Sequence, residues 1–149
     1  MAPNKYILQA CVAAAIAWPA GGSSQPPAAA GTVSTPAPGS PTRRAILDAL
    51  RAKLDIKSVF EVYHLKVSGR WAYLRCNEVV MVDGEKQETD LTVAALFERR
   101  EGNASARWRV VELWTLPTDD SEHFKDFVRR VQARQRDSRI PAALFPDDY

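Results

Sequence analysis

Histidine and cysteine are scarce in this chain of 149 residues, which contains only two of each. The histidines are His64 and His123, the cysteines are Cys11 and Cys76, and no CxxC, HxxxH or HExxH spacing connects them. A structural zinc site is therefore not expected. The GxSxG and SxxK motifs of nucleophilic enzymes are also missing, so we predict no catalytic residues, no metal and no cofactor.

Charge is nearly absent from the first 42 residues, where Lys5 is the only Lys, Arg, Asp or Glu. The same residues hold seven of the ten prolines and four of the seven glycines. The rest of the chain carries 19 basic and all 18 acidic side chains, so it is nearly neutral. Because a chain without a basic excess does not neutralise a phosphate backbone, nucleic acid is not an expected partner.

The N-terminus has the order of features that a secretory signal needs. Lys5 precedes an uncharged apolar run over residues 6–18, and small residues then offer cleavage after Ala17 or Gly22. This run of 13 residues is shorter than the roughly 20 that span a bilayer. We predict a signal peptide over residues 1–22 and a secreted or periplasmic protein, with an uncleaved membrane anchor as the alternative.

A second possible membrane attachment is suggested by Leu8-Gln9-Ala10-Cys11, which resembles a bacterial lipoprotein box. Lipidation at Cys11 would hold the chain at a membrane. Little apolar sequence precedes Leu8, however, and the apolar run continues beyond Cys11. The only expected membrane contact is therefore this N-terminal segment, if it is uncleaved or lipidated.

Residues 23–41 are rich in Pro, Ala, Gly and Ser and have almost nothing to bury. Such a segment does not offset the entropy of ordering its own backbone. We interpret it as a disordered linker, either a spacer or a connection without a role. Residues 42–149 then form a single folded domain.

The domain begins with a predicted helix and continues with four predicted strands. Ser40 and Pro41 form a helix start, and apolar residues at helical spacing predict a helix from Thr42 to about Asp55. Period-two patterns predict strands over residues 59–67, 71–82, 90–99 and 107–116, with Asp83-Gly84 as a hairpin turn. The alternation slips near Tyr63, which predicts a bulge.

A second predicted helix follows Pro117. Asp119 and Glu122 have the spacing of a capping box, and the apolar residues predict a helix that ends near Arg136. An apolar tail around Leu144 is expected to pack on the core. We therefore predict an α+β domain with a curled, antiparallel, four-stranded meander sheet, an N-terminal helix and a C-terminal helix.

Two stretches resemble known families. The last predicted hairpin is similar to the closing hairpin of nuclear-transport-factor-like (SnoaL-type) cone folds and contains Leu96-Phe97-Glu98-Arg99-Arg100 and Trp108-Arg109-Val110-Val111-Glu112. The motif Trp114-x-x-Pro117-Thr118-Asp119, with Arg44-x-x-Leu47-Asp48-x-Leu50-Arg51 before it, resembles a group of small, exported, uncharacterised bacterial proteins over most of residues 43–149. Neither resemblance implies an activity. The cone fold has more helix before its sheet, which leaves a cystatin-like or simple meander arrangement open.

Glu112 and Trp114 are the main candidates for a ligand-binding site. Regular alternation places them on one strand face with Trp108, Val110 and Leu116, so that apolar side chains flank a carboxylate. A covered carboxylate needs a partner, and Arg75 on the second predicted strand is a candidate. A structural ion pair is the alternative to a ligand anchor.

His64 and Asp119 complete the set of five candidate site residues. His64 could form a base-and-orienter pair with Asp90 or Glu112 across the sheet. Asp119 could contact a cation or partner, although helix capping explains it as well. Cys76 lies mid-strand among apolar residues and is expected to be buried, with a reactive thiol as the alternative.

The arginines of the second helix, clustered near its C-terminus, favour a solvated face. Docking on anionic lipid or cell-wall polymer is the alternative.

These features favour an exported, envelope-associated module without catalytic activity. It would bind an unknown protein or small ligand of the cell envelope, and an immunity or inhibitor protein is one version of this function. The alternative is a cone-fold enzyme or small-molecule carrier with a pocket near His64 and Glu112. A filled interior with an exposed aromatic patch would favour the interaction module, and an open cavity would favour the alternative.

Overall fold

The computed structural model describes residues 31–101, 107–117 and 121–148. In chain order their elements are β1 (Val33–Ser34), α1 (Pro41–Leu54), β2 (Val59–Ser68), β3 (Trp71–Val82), β4 (Glu85–Arg100), β5 (Arg107–Leu116), α2 (Ser121–Ser138) and the 3-10 helix Ala142–Leu144. The strands form one antiparallel sheet in the order β1-β2-β3-β4-β5. The predicted α+β class is confirmed.

The sheet has five strands, one more than the sequence predicts, because β1 adds to its edge. Val33 pairs with Ser68 and Ser34 pairs with Val67. The prediction of a disordered linker over residues 23–41 is wrong at Val33 and Ser34. The edge of β2 offers backbone partners to this segment, and Val33 packs against a hydrophobic core.

Helix α1 begins and ends where its sequence signals predict. The side chain of Ser40 accepts a hydrogen bond of 3.3 Å from the backbone N–H of Arg43, and Pro41 occupies the first turn. Asp55 adopts the left-handed conformation at the C-cap, and its backbone N–H donates to the carbonyl of Arg51. Ile46 is fully buried on the face turned to the sheet.

In the β3–β4 hairpin, β3 ends at Val82 as predicted, whereas β4 is longer than the sequence predicts. Asp83 and Gly84 both have positive φ values, 51° and 84°, as a two-residue type I′ turn requires. Pairing therefore continues to the turn, from Val79 opposite Glu88 to Val82 opposite Glu85. Strand β4 consequently begins at Glu85, where the sequence predicts a start at Asp90.

Besides the register shift between Asn77 and Val79 in the β3–β4 pair, two bulges affect which side chains share a face of the sheet. The register of β2 shifts between Val62 and His64, which confirms the bulge predicted near Tyr63. A second shift lies in β5, where Leu96 pairs with Glu112 but Phe97 pairs with Val110.

The extra residue in β5 is Val111, and it reverses the alternation of side chains between the two halves of the strand. Trp108 and Val110 face one core, whereas Val111 and Trp114 face the other. The prediction that Trp108 and Val110 share a face with Glu112 and Trp114 is therefore wrong.

Both faces of the sheet are covered. The first core, under α1, consists of Ile46, Leu50, Phe60, Leu65, Val67, Ala72, Leu74, Cys76, Val93, Ala95, Phe97 and Trp108. The second core, under α2 and the C-terminal tail, consists of Trp71, Tyr73, Ala94, Leu96, Trp114, Phe127, Val131, Ile140, Leu144 and Phe145. Cys76 is fully buried, as predicted.

The C-terminal tail, residues 140–148, packs on the second core as predicted. Ile140, Leu144 and Phe145 are buried there, whereas Ala143 is exposed. Helix α2 ends at Ser138, slightly past the predicted Arg136. The next residue, Arg139, has a left-handed backbone with φ 52°. This turn redirects the chain across the sheet.

The predicted signal peptide, Cys11 and the capping residue Asp119 lie outside the described residues. None of the helices in the described ranges has the length and apolar character needed to cross a membrane.

Candidate functional site

Four of the five predicted site residues lie on the sheet face that α2 and the tail cover. His64 pairs with Arg75, Arg75 with Ala94, and Ala94 with Trp114, so these side chains form one row across β2 to β5. Glu112 lies in the neighbouring row, opposite Leu96. The fifth residue, Asp119, is outside the described residues.

On the β2–β3 side of this face, the side chains of His64, Lys66 and Arg75 bind the C-terminal tail. Nε2 of His64 donates to the carbonyl of Leu144 at 2.9 Å, because a carbonyl oxygen only accepts. Nζ of Lys66 donates to the carbonyl of Ala143 at 3.2 Å, and Nη1 of Arg75 lies 3.0 Å from Oδ2 of Asp148. The hydrogen bond from Arg75 lowers the pKa of Asp148. His64 and Arg75 therefore hold the tail in place.

On the β5 side of the same face, Glu112 forms ion pairs with two arginines of α2. Nε of Arg130 donates to Oε2 at 2.9 Å, and Nη2 of Arg134 donates to Oε1 at 2.8 Å. The Glu112 side chain is only 11% exposed. Its expected arginine contact is present, but the expected partner Arg75 is wrong, since Arg75 on β3 binds the tail.

The structure does not bring His64 and Glu112 together. They lie on β2 and β5, three strand spacings apart, which corresponds to about 14 Å. In the row that contains Glu112, the fully buried side chains of Tyr73 and Leu96 occupy the face between β2 and β5. A base-and-orienter pair of His64 and Glu112 is therefore not formed.

Across residues 31–101, 107–117 and 121–148, no group of three or more His, Cys, Asp or Glu side chains is arranged to hold a metal ion.

An arginine-lined cleft lies at the end of the sheet where β2 turns into β3. It has a volume of about 380 Å³ and is lined by Arg70, Arg99, Arg100 and Glu101. We call it the arginine cleft. Arg70 stands in the β2–β3 turn and the other three residues stand at the end of β4.

Glu98 organises the arginines around this cleft. Its side chain is 8% exposed and accepts hydrogen bonds from Arg70, from Nε of Arg100 at 3.3 Å and from Nη2 of Arg109 at 3.5 Å. The hydrogen bond from Arg70 lowers the pKa of Glu98 and outweighs the opposing effect of desolvation. One buried carboxylate thus fixes three guanidinium groups.

Sequence reasoning missed this cleft, although a signal for it is present. The strands predict that the β2–β3 turn and the β4–β5 connection lie at the same end of the sheet. Arginines flank both connections, as Arg70, Arg99-Arg100 and Arg107-x-Arg109. The near neutrality of the domain as a whole conceals this local excess.

The opposite end of the sheet carries a protruding hairpin, residues 79–90, which we call the arm. Val59, the first residue of β2, pairs with Val79, and Leu116, the last residue of β5, pairs with Thr92. Within the described residues, the β3–β4 ribbon therefore extends beyond both neighbouring strands. Residues 80–88 are all exposed.

A polar cluster supports the base of the arm. The hydroxyl of Tyr63 donates to Oε1 of Glu88 at 2.6 Å, and Nδ2 of Asn77 donates to Oε2 of the same carboxylate at 2.8 Å. Donation to Glu88 raises the pKa of Tyr63 to about 12 and lowers the pKa of Glu88. Glu88 is thus held as an acceptor, and the Tyr63 ring stays exposed.

Comparison of the chain with protein-family models, with curated proteins and with solved structures gave no match in any of the three. The resemblances to the cone fold and to small exported bacterial proteins therefore stay predictions.

Proposed function

We propose that this protein is an exported, envelope-associated interaction module without catalytic activity, and that the arm is its contact surface. One observation carries the proposal. Among the described residues, every exposed large hydrophobic side chain lies at the arm end of the sheet: Val59, Tyr63, Val80, Met81, Val82 and Leu116.

Both faces of the sheet are buried under helices and the tail. The alternative of an enzyme or carrier with a pocket near His64 and Glu112 needs open space where Tyr73 and Leu96 are buried. The outer surface is therefore the part of the domain that is free to act. Apolar patches that stay exposed on a folded domain mark interaction sites.

Charge indicates the chemistry of the partner. Residues 80–90 contain Asp83, Glu85, Glu88 and Asp90 but only one basic residue, Lys86. Complementary potentials guide association, so the partner surface combines basic and apolar side chains. An effector that an immunity or inhibitor protein occludes would have such a surface.

The backbone of the arm suggests how the partner binds. Beyond Val59 and Leu116, both outer edges of the ribbon extend past their neighbouring strands. An extended segment of a partner can add to such an edge through main-chain hydrogen bonds. We therefore expect an extended, basic segment of an envelope protein on the arm.

Site-specific photo-crosslinking in the producing cell tests this function. A benzophenone amino acid replaces Met81 on the arm or, as the control, Arg129 on α2, since both side chains are exposed. We expect a discrete covalent adduct with a second protein from position 81 and none from position 129. Equal adducts from both positions, or none from either, would contradict the proposal. An adduct of two copies of this chain would contradict the proposed partner.

A charge-reversal pair tests the electrostatic part. Glu85→Lys on the arm is expected to reduce the yield of the position-81 adduct several-fold. Glu122→Lys, at an exposed acidic position on α2, is expected to leave it unchanged. Equal effects of the two variants on the adduct yield would show that the negative charge of the arm does not attract the partner.

Export is tested separately by mass spectrometry of the N-terminus. We expect the mature chain to begin after Ala17 or Gly22, or at an acylated Cys11 if the lipoprotein box is used. A chain that keeps Met1 and is recovered from the cytosol would refute export.

A further inference from the structure

The end of the sheet opposite the arm concentrates positive charge. Arg70, Arg99, Arg100, Arg107 and Arg109 lie there, and the described residues 98–101 and 107–109, at the ends of β4 and β5, contain two acidic residues, Glu98 and Glu101. Arg100 and Arg107 are direct partners in the β4–β5 register. Like charges at opposed positions destabilise a strand pair, so this arrangement is unfavourable without a compensating anion.

The one buried carboxylate compensates only part of this charge. Arg70, Arg100 and Arg109 all contact Glu98. Each guanidinium has five N–H donors, whereas Glu98 supplies two oxygens. The side chains of these arginines are 63%, 63% and 53% exposed. Each of these exposed guanidinium groups therefore has donors that Glu98 does not engage.

Two tryptophans hold guanidinium groups in place from below. The guanidinium carbon of Arg70 lies 5.5 Å from the ring centroid of Trp71, and that of Arg99 lies 5.8 Å from the ring centroid of Trp108. Both rings are largely buried. Stacking on a fixed ring restricts an arginine, and a restricted donor loses less entropy when it binds a ligand.

We propose that the arginine cleft binds a phosphoryl group, carried by a small molecule or by a lipid headgroup. The planar donor fork of arginine matches phosphate oxygens with two parallel hydrogen bonds. Arg99 and Arg100 line the cleft from β4 while Arg70 lines it from the β2–β3 turn, so two separate segments supply donors to an anion in the cleft. The volume of about 380 Å³ falls in the range of small-ligand sites.

Phosphate binding in the arginine cleft does not require the arm. The arginine cleft and the arm occupy opposite ends of the sheet. A test can therefore refute partner binding by the arm without refuting phosphate binding in the cleft, and the reverse also holds.

Titration calorimetry of the full chain with inorganic phosphate tests the site, with sodium chloride holding the ionic strength constant. We expect saturable binding to the wild type. Arg99→Gln with Arg100→Gln should weaken it by roughly tenfold or more, because hydrogen bonds to a charged group are lost. The control is Lys57→Gln with Lys86→Gln, which removes the same charge near the arm.

A charge-conserving variant distinguishes bidentate hydrogen bonding by the guanidinium groups from non-specific electrostatic attraction. Arg99→Lys with Arg100→Lys keeps the net charge and both long side chains, and it is expected to weaken phosphate binding several-fold. Circular dichroism of all variants checks that they are folded. The proposal is overturned if the wild type binds no phosphate, if the glutamine pair and the control lose affinity equally, or if the lysine pair binds like the wild type.

Vesicle flotation distinguishes the two sources of the phosphoryl group. Vesicles of phosphatidylcholine with phosphatidic acid are compared with pure phosphatidylcholine. Flotation with the first kind alone, lost in the glutamine pair, assigns the site to lipid headgroups. Phosphate binding without flotation assigns it to a phosphorylated small molecule.

Discussion

Arg134 connects the second helix to the last strand of the sheet through Glu112, with 2.8 Å between its Nη2 and Oε1 of the carboxylate. Arg130, one helical turn earlier, contacts the other oxygen of Glu112 at 2.9 Å. Residues four apart on a helix share a face, so α2 presents both guanidinium groups to one carboxylate. The arrangement fixes the position of α2 on the sheet.

Glu112→Gln is therefore expected to destabilise the fold. The carboxylate is 11% exposed, and the substitution replaces a charged acceptor with a neutral amide while both arginines remain. We expect a loss of about 1–3 kcal/mol in the free energy of unfolding, measured by urea denaturation at neutral pH.

The control for this prediction is Glu122→Gln, whose side chain is 73% exposed in its pair with Lys125. An exposed pair contributes little, so a change below about 0.5 kcal/mol is expected. If Glu112→Gln costs no more than the control, the contact with α2 is not stabilising.

Leu144→Ala tests whether the C-terminal tail is part of the folded core. Leu144 is fully buried, and its carbonyl accepts from His64. Truncation leaves a cavity and is expected to cost about 2–4 kcal/mol. Leu116→Ala, at a position that is 37% exposed, should cost about 1 kcal/mol or less. A similar cost for both variants in urea denaturation would show that the tail contributes little.

Local patterns predicted most of the secondary structure because each signal acts over a few residues. Ser40 and Pro41 mark the start of α1, Asp83-Gly84 marks the hairpin turn, and the slip near Tyr63 marks the bulge of β2. These features depend on capping, turn geometry and alternation within a short window.

The faces of β5 could not be predicted in the same way. Val110 and Val111 are both apolar, so the alternation looks regular whichever of them is the extra residue. The bulge is visible only in the pairing with β4. The partner of Glu112 depends in turn on where α2 packs, which is a tertiary relationship that no local pattern contains.

The stability of the domain should depend on pH through Glu98. The hydrogen bond from Arg70 holds the pKa of Glu98 below its ordinary value of 4.5. Ionised Glu98 therefore stabilises the folded chain above pH 4.5, and this contribution is lost as the pH falls from 4.5 through the lowered pKa of the folded state. Glu98→Gln should make the free energy of unfolding less dependent on pH in this window.

Urea denaturation at neutral pH and at several values below 4.5 measures this difference. Asp148 and Glu88 also have lowered pKa values, but they remain in both proteins and cancel in the comparison. Arg70→Gln removes the main donor to Glu98 and should flatten the pH dependence in the same direction. An unchanged pH dependence in Glu98→Gln would refute the role assigned to this carboxylate.

Cys76 should be chemically inert in the folded protein. It is fully buried in the core beneath α1, and burial raises the pKa of its thiol to about 12. A thiol that stays protonated is a poor nucleophile. In a Cys11→Ser background, we expect almost no reaction with a thiol reagent such as dithiobis-nitrobenzoate under native conditions, and rapid reaction of one thiol in urea. Comparable rates in both conditions would mean that Cys76 is accessible, and the reactive-thiol alternative would then hold.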